Sequence, residues 1–157
     1  MTNIEAQIQS LIDNAPDDGM TPKLVATIAP VLRAIAKKLQ HPQYYIVQNL
    51  QERWVLTTLI NKANPDLEKR VVYAFPRLQD ASLSSFAGVD PQAVAKPMPV
   101  VDILFQLIAL EPVDSIVFFE TPGTTNNTTE VLRNDLQTMI AQKLQQNIPK
   151  RVPPDIA

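Results

Sequence analysis

Tyr44-Tyr45-Ile46-Val47-Gln48-Asn49-Leu50-Gln51-Glu52-Arg53-Trp54-Val55-Leu56-Thr57-Thr58-Leu59-Ile60-Asn61 is the stretch whose reading decides the fold. β-Branched and aromatic residues crowd it, and such side chains suit a pleated, half-buried surface better than a helix. Tyr44 to Leu50 and Arg53 to Asn61 read as two strands joined by a tight Gln51-Glu52 connection. Arg70 to Phe75 reads as a third, reached through Lys62-Ala63-Asn64-Pro65-Asp66. Short connections favour antiparallel neighbours, so the expectation is a three-stranded meander. Alternation would send Trp54, Leu56, Thr58 and Ile60 to one side and Val55, Thr57 and Leu59 to the other.

Upstream, the pattern is helical. Thr2 with Glu5 three positions on forms a capping box ahead of Ile4, Ile8, Leu11 and Ile12, which share one face. Ala15 to Gly19 is a turn, and Thr21-Pro22 opens a second helix with Thr as N-cap and Pro at the first helical position. Its core stripe is Leu24, Ile28, Val31, Leu32, Ile35 and Leu39. Pro30 is expected to kink this helix or divide it. Downstream, Asp80 to Pro99 reads as a surface crossover with one helical turn from Asp90. Val100 to Leu110 is apolar nearly all round, as a buried helix is. Ser115 to Glu120 is a short buried strand. Thr121 to Thr129 is a polar turn, Asn127 with Glu130 resembles a capping box, and Leu132, Leu136, Met139, Ile140 and Leu144 line the last helix. The expected architecture is α+β: two N-terminal helices, a three-stranded antiparallel meander, a buried helix, a fourth strand and a C-terminal amphipathic helix. Residues 1–148 are expected to form one domain, and 149–157 a mobile proline-rich tail.

Composition narrows the chemistry. The chain has 157 residues, 45% hydrophobic and 19% charged, which is globular rather than disordered. Net charge is −2, and the basic groups (Arg33, Lys37 and Lys38; Lys69 and Arg70; Lys150 and Arg151) form no stripe that would release counterions from a nucleic acid. There is no cysteine, which excludes disulfides and thiolate sites. With three glycines, Gly19, Gly88 and Gly123, no phosphate-cradling loop can be assembled. No signal peptide or membrane-spanning run is evident, so a cytoplasmic protein without membrane or nucleic-acid partners is expected. No cofactor and no metal ligand set is expected.

Few residues carry chemistry. His41 stands alone before Pro42 and suits a helix end, where its cation would meet the dipole. Asp102 and Glu120 each interrupt an apolar segment and would mark an exposed position or an element end; buried, either would need a partner or a raised pKa. An enzyme would have to be built on Asp102, Glu120 or His41. The turn from Glu120 to Thr129 runs toward a predicted helix start, so its free N–H groups make Gly123, Thr124, Thr125, Asn126, Asn127 and Thr128 the candidate anion or small-ligand site. Tyr44 and Trp54, with Arg53 and Arg70 beside them, are the candidate partner-binding face. Tyr44, Tyr45 and Trp54 also read as cross-strand aromatic packing, and Lys62 and Lys69 as solvated turn residues.

The run Tyr45-Ile46-Val47-Gln48-Asn49-Leu50-Gln51-Glu52-Arg53-Trp54-Val55-Leu56, in a Gln/Asn-rich chain without cysteine, resembles small uncharacterised cyanobacterial proteins. The order of helices followed by a meander is also similar to secretion-chaperone-like α+β domains, and that resemblance implies binding of other polypeptides. The functional expectation is a non-catalytic interaction domain, accessory, assembly or regulatory, with a protein partner or self-association. A small-ligand or anion sensor is the alternative, and a carboxylate-based enzyme the third reading.

Overall fold

The computed structural model describes residues 3–16, 18, 20–51, 53–61, 63–83 and 93–147. Five helices flank a six-stranded sheet in the order α1 (Asn3–Asp13), α2 (Thr21–Lys38), β1 (Gln43–Gln48), β2 (Thr57–Asn61), β3 (Asn64–Phe75), α3 (Leu78–Leu83), β4 (Val94–Pro99), α4 (Val100–Ala109), β5 (Ser115–Phe119), β6 (Thr128–Leu132) and α5 (Arg133–Asn147). The expected α+β class is the observed one. The cap at Thr2, the helical turn at Asp90 and the tail at residues 149–157 lie outside the described residues.

The strands run β4-β1-β3-β5-β6, with β2 also on β3. Val71 pairs with Thr57 on one side and Ser115 on the other, while Ala74 pairs with Ile46 and Phe118. β1 and β2 therefore lie end to end along one edge of β3, and β5 runs parallel to β3 along the other. This corrects the simple meander. The tight turn forms, since the Asn49 Oδ1 accepts N–H groups of Gln51 and Arg53 at 2.9 and 3.0 Å. The returning arm, however, meets β1 only at the Gln48–Trp54 bridge and the Val55 N–H to Val47 carbonyl bond of 2.9 Å. It then crosses to β3, which leaves β1 paired between β4 and β3 and buries Tyr44, Ile46 and Val47.

Three strand segments escaped sequence reading for one reason each. β3 begins at Asn64 rather than Arg70, because the turn-like Asn64-Pro65-Asp66 sits where a strand start tolerates proline. β4 carries Pro97 and Pro99, which an edge strand accepts because its outer N–H groups need no partner. β6 occupies the place given to a capping box: Asn127 and Glu130 do not cap, and the helix starts at Arg133.

Alternation splits the sheet into two faces. Tyr44, Ile46, Val72, Ala74, Ile116, Phe118 and Val131 join the main core beneath α1, α2, α4 and α5. Val47, Phe75 and Phe119 point the other way, against Ala81 of α3. In α2 the buried stripe begins at Val25 rather than Leu24, which is 48% exposed, because Val25 lies three residues before Ile28 on the core side. Pro30 is on the solvent side and does not divide the helix. α4 carries Val100, Val101, Ile103, Leu104 and Leu107, all fully buried as expected.

Groups outside the helices serve their starts. The Asp18 carboxylate, rather than Thr21, caps α2: it accepts the N–H groups of Met20 and Thr21 at 2.9 and 2.7 Å and the Thr21 hydroxyl at 2.6 Å. The Thr21 hydroxyl and these N–H groups hold Asp18 at a pKa of about 2, down from 3.8. At the start of α4, Val100 N–H donates to the Pro42 carbonyl and Val101 N–H to Gln7 Oε1, both at 2.9 Å. Asp18→Ala is expected to speed amide exchange at Met20 and Thr21 without disturbing exchange in β3. Because the folded pKa is depressed, the stabilisation from this cap is complete above pH 3.8 and disappears as pH falls through about 2. Exchange measured at pH 5 on both proteins checks this; unchanged rates would show that the cap contributes nothing.

Candidate functional site

Glu120 follows the last residue of β5, and strand alternation turns it to the same face as Phe118. It is 1% exposed, so it marks an element end, as expected, without being an exposed position. Tyr44 donates its hydroxyl to Oε1 through a very short contact, while Oε2 accepts the Gln40 N–H at 3.2 Å and the Thr129 hydroxyl at 3.1 Å. Every donor comes from a different element: Gln40 just beyond α2, Tyr44 from β1, Thr129 from β6. The main chain of Glu120 is also held, with its N–H on the Asn127 carbonyl at 2.8 Å and its carbonyl 2.6 Å from His41 Nε2. A carbonyl only accepts, so Nε2 of His41 is the donor in this contact. The ring reaches across to β5 instead of back to the end of α2.

Sequence reading singled out His41 and Glu120 separately, and the structure brings them together with Tyr44, but in an order unlike an acid–base dyad. A carboxylate that orients a catalytic imidazole touches the ring; here the ring meets the main chain and the carboxylate faces a phenol. Burial first, and the Glu120 carboxylate second, push the Tyr44 hydroxyl well above its ordinary pKa. It remains a donor at physiological pH. Tyr44 is itself fully buried, its ring edge-on to Phe118 at 4.8 Å and to His41 at 5.4 Å, which removes it from the expected partner-binding face. Its position on β1 facing Met98, rather than Trp54, also replaces the expected aromatic pairing.

Asp102 lies apart from this cluster, half-buried in the first turn of α4, where burial raises its pKa. It lines a shallow groove of about 450 Å³ with Gln7, Ser10, Pro42, Gln43 and Pro99. The three residues on which an enzyme could have been built therefore do not converge.

The candidate anion turn loses its helix. Residues Gly123 to Asn127 lead into β6, so no helix N-terminus opens there. Gly123, at φ +84°, gives its N–H to Asp80 Oδ1 at 3.0 Å, a carboxylate already clamped by Arg77 at 2.9 Å. Thr124 N–H bonds Thr121 O at 3.3 Å, Asn126 N–H bonds Thr124 Oγ1 at 3.1 Å, and the Asn127 amide bonds Thr121 Oγ1 at 3.1 Å. Asp80 and the turn's own groups use these donors, while Thr125 and Thr128 stay exposed at its rim.

Arg53, Trp54 and Arg70 remain at the surface, and two of them share a groove. Arg53 and Trp54 line a cavity of about 400 Å³ with Leu56, Gln106, Leu110, Pro112 and Val113. Arg70 sits beside it: its carbonyl accepts the Asp114 N–H, and its N–H donates to Asp114 Oδ2, both at 2.8 Å. From there β2 and the first half of β3 run outward as a two-stranded ribbon. Neither β2's outer edge nor the opposite edge of β3 from Asn64 to Lys69 pairs with another described strand. Ile60 is 60% exposed on it, Leu67 58% and Leu59 43%. Sequence reading missed this surface; the signal was apolar residues on both faces of one hairpin. Lys69, expected to be solvated, ion-pairs with Glu130, which also accepts the Ser115 hydroxyl at 2.5 Å. Among the described residues no group of three or more His, Asp or Glu could hold a metal, and no helix is long and apolar enough to cross a membrane. No protein-family model matches the chain, and no curated protein matches it.

Proposed function

We propose that this chain is a non-catalytic protein-interaction domain that binds through its β2–β3 ribbon. The observation that carries the reading is the exposure of Leu59, Ile60 and Leu67 on a ribbon with open edges. An isolated two-stranded ribbon is marginal in water, and an uncharged strand such as Thr57-Thr58-Leu59-Ile60-Asn61 lacks the lysines or prolines that discourage pairing. β4 carries such guards at Pro97 and Pro99, β6 carries the charge of Glu130, and β3 itself holds Pro65 and Lys69, so the unguarded edge is that of β2. The buried carboxylate points the same way, because its oxygens are taken by donors from three elements, which suits a structural junction.

The test is a double variant, Ile60→Asp with Leu67→Asp. Both side chains are exposed, so the far-ultraviolet dichroism is expected to match that of the parent. Association with itself or with partners captured from source cells is expected to fall at least about tenfold, as for loss of central apolar contacts in an interface. A variant that associates as the parent does, or a parent that associates with nothing, would overturn the proposal.

A further inference from the structure

α1 and α4 lie side by side in the same direction, and a groove with two lobes runs between them. In one lobe Gln7 and Ser10 face Asp102, with Pro42 and Pro99 as walls, around a space of about 450 Å³. In the other, Ser10 and Asn14 face Asp102 and Phe105 around about 180 Å³. Positions 7, 10 and 14 share one face of α1, and 102 and 105 one face of α4. At the helical rise per residue, the stretch from Gln7 to Asn14 is about 10 Å long. The α1 wall is already engaged. Gln7 donates from Nε2 to the Pro42 carbonyl at 2.8 Å and accepts the Val101 N–H on Oε1 at 2.9 Å, and Ser10 Oγ accepts the Asn14 amide at 3.1 Å. Asp102 differs: among the described residues no hydrogen bond or ion pair reaches its carboxylate. Neither α1 nor α4 contains a base, and their other acids are Glu5, held by Arg33, and Asp13, which accepts from Gln9 at 2.9 Å. The dipole of α4 accounts for an acid in its first turn. It supplies no counter-charge on the groove side, where half-burial raises the carboxyl pKa.

We propose that this groove binds an alkylammonium group, with the amine at Asp102 and Phe105 and the carbon stem along Pro42 and Pro99. Charge selects the ligand. An anion would meet the Asp102 carboxylate, and a neutral stem would leave that charge unpaired. An ammonium donates charge-assisted hydrogen bonds to the carboxylate, and the Phe105 ring, one turn further along α4, adds a cation–π contact. The two proline rings and the length of the groove suit an unbranched aliphatic stem of about five carbons, which leaves the engaged Gln7 and Ser10 undisturbed. Such a group arrives either as a free amine or as the lysine side chain of a polypeptide, and the chemistry of recognition is the same. The site shares no residue with the β2–β3 ribbon and is independent of the interaction reading above.

The test is a titration of the isotope-labelled full chain with n-pentylammonium chloride at neutral pH, followed by amide chemical shifts. Saturable shifts are expected at Ser10, Asn14, Asp102 and Phe105. n-Pentanol, which keeps the stem and lacks the charge, is expected to bind at least about tenfold more weakly, and so is n-pentylammonium to Asp102→Asn. Asp102→Glu keeps the charge and is expected to retain most of the binding, so a loss in Asp102→Asn reads the charge rather than the shape of the groove. Nα-Acetyl-lysine amide, titrated in parallel, sorts the source: tighter binding than n-pentylammonium points to a lysine side chain, weaker binding to a free amine. Ile60→Asp with Leu67→Asp is expected to bind the amine as the parent does, so that failure of either reading leaves the other standing. A parent without saturable shifts, pentanol bound as tightly as the amine, or Asp102→Asn binding as the parent does would overturn the proposal.

Discussion

Glu120→Ala is expected to destabilise the fold by about 3 kcal/mol, a melting-temperature loss of roughly 6–12 °C for a chain of this size. The substitution strips acceptors from the Tyr44 hydroxyl, the Gln40 N–H and the Thr129 hydroxyl at once, in a place that water does not reach. Buried donors without partners cost more than the bonds themselves contributed. Tyr44→Phe keeps the ring against Phe118 but leaves the carboxylate one donor short and removes the acceptor of the His41 N–H, at 3.2 Å. Its expected cost is about 1.5–3 kcal/mol. Since both changes act on one contact, the double variant is expected to lose less than the sum, and denaturant titration of the four proteins measures that coupling. Strict additivity would mean that Tyr44 and Glu120 do not share a proton contact in solution. A Glu120→Ala protein as stable as the parent would remove the structural role and return this carboxylate to the list of reactive candidates.

The legible part of the fold is the part with strong periodicity. Val100 to Leu110 and the β5 segment read correctly because an apolar run between polar stops has few alternatives, and the α2 stripe differs by one residue at its start. What escaped reading depends on contacts made at long range. β1 and β2 look like a hairpin in sequence, and only the reach of β3, 12 residues long, shows why they divide its edge instead. The Thr128-Thr129-Glu130-Val131-Leu132 strand imitates a helix start because Asn127 and Glu130 are three apart; its pairing with β5 decides otherwise. The site behaves likewise. Glu120 and His41 could be singled out as residues, but the sequence places Tyr44 76 positions from Glu120, and nothing local announces their contact. The exposed ribbon was within reach, since alternation had assigned Leu59 and Ile60 to opposite faces and one strand pair cannot cover both.

Phe118→Ala is expected to cost about 3–5 kcal/mol, a large fraction of the roughly 5–15 kcal/mol that holds a typical domain together. Phe118 is fully buried on the helix side of β5, with Tyr44 edge-on at 4.8 Å and Ala74 as its β3 neighbour. A cavity bounded by an alanine on one strand and a hydrogen-bonded tyrosine on another has little that can move in to fill it. Phe119, one position on, points to the smaller cluster, stacked against Phe75 at 5.1 Å and Tyr73 at 5.4 Å, and is 7% exposed. Truncating it removes fewer buried contacts, so Phe119→Ala is expected to cost less than Phe118→Ala. The order of the two losses reads the register of β5 directly, because a slip of one residue exchanges the faces of every side chain on the strand. It would also turn Glu120 away from Tyr44 and out of the core. Urea titrations giving Phe119→Ala the larger loss would therefore remove the buried carboxylate junction, and with it the case that the chain's one histidine and the most buried acid among the described residues are spent on holding four elements together.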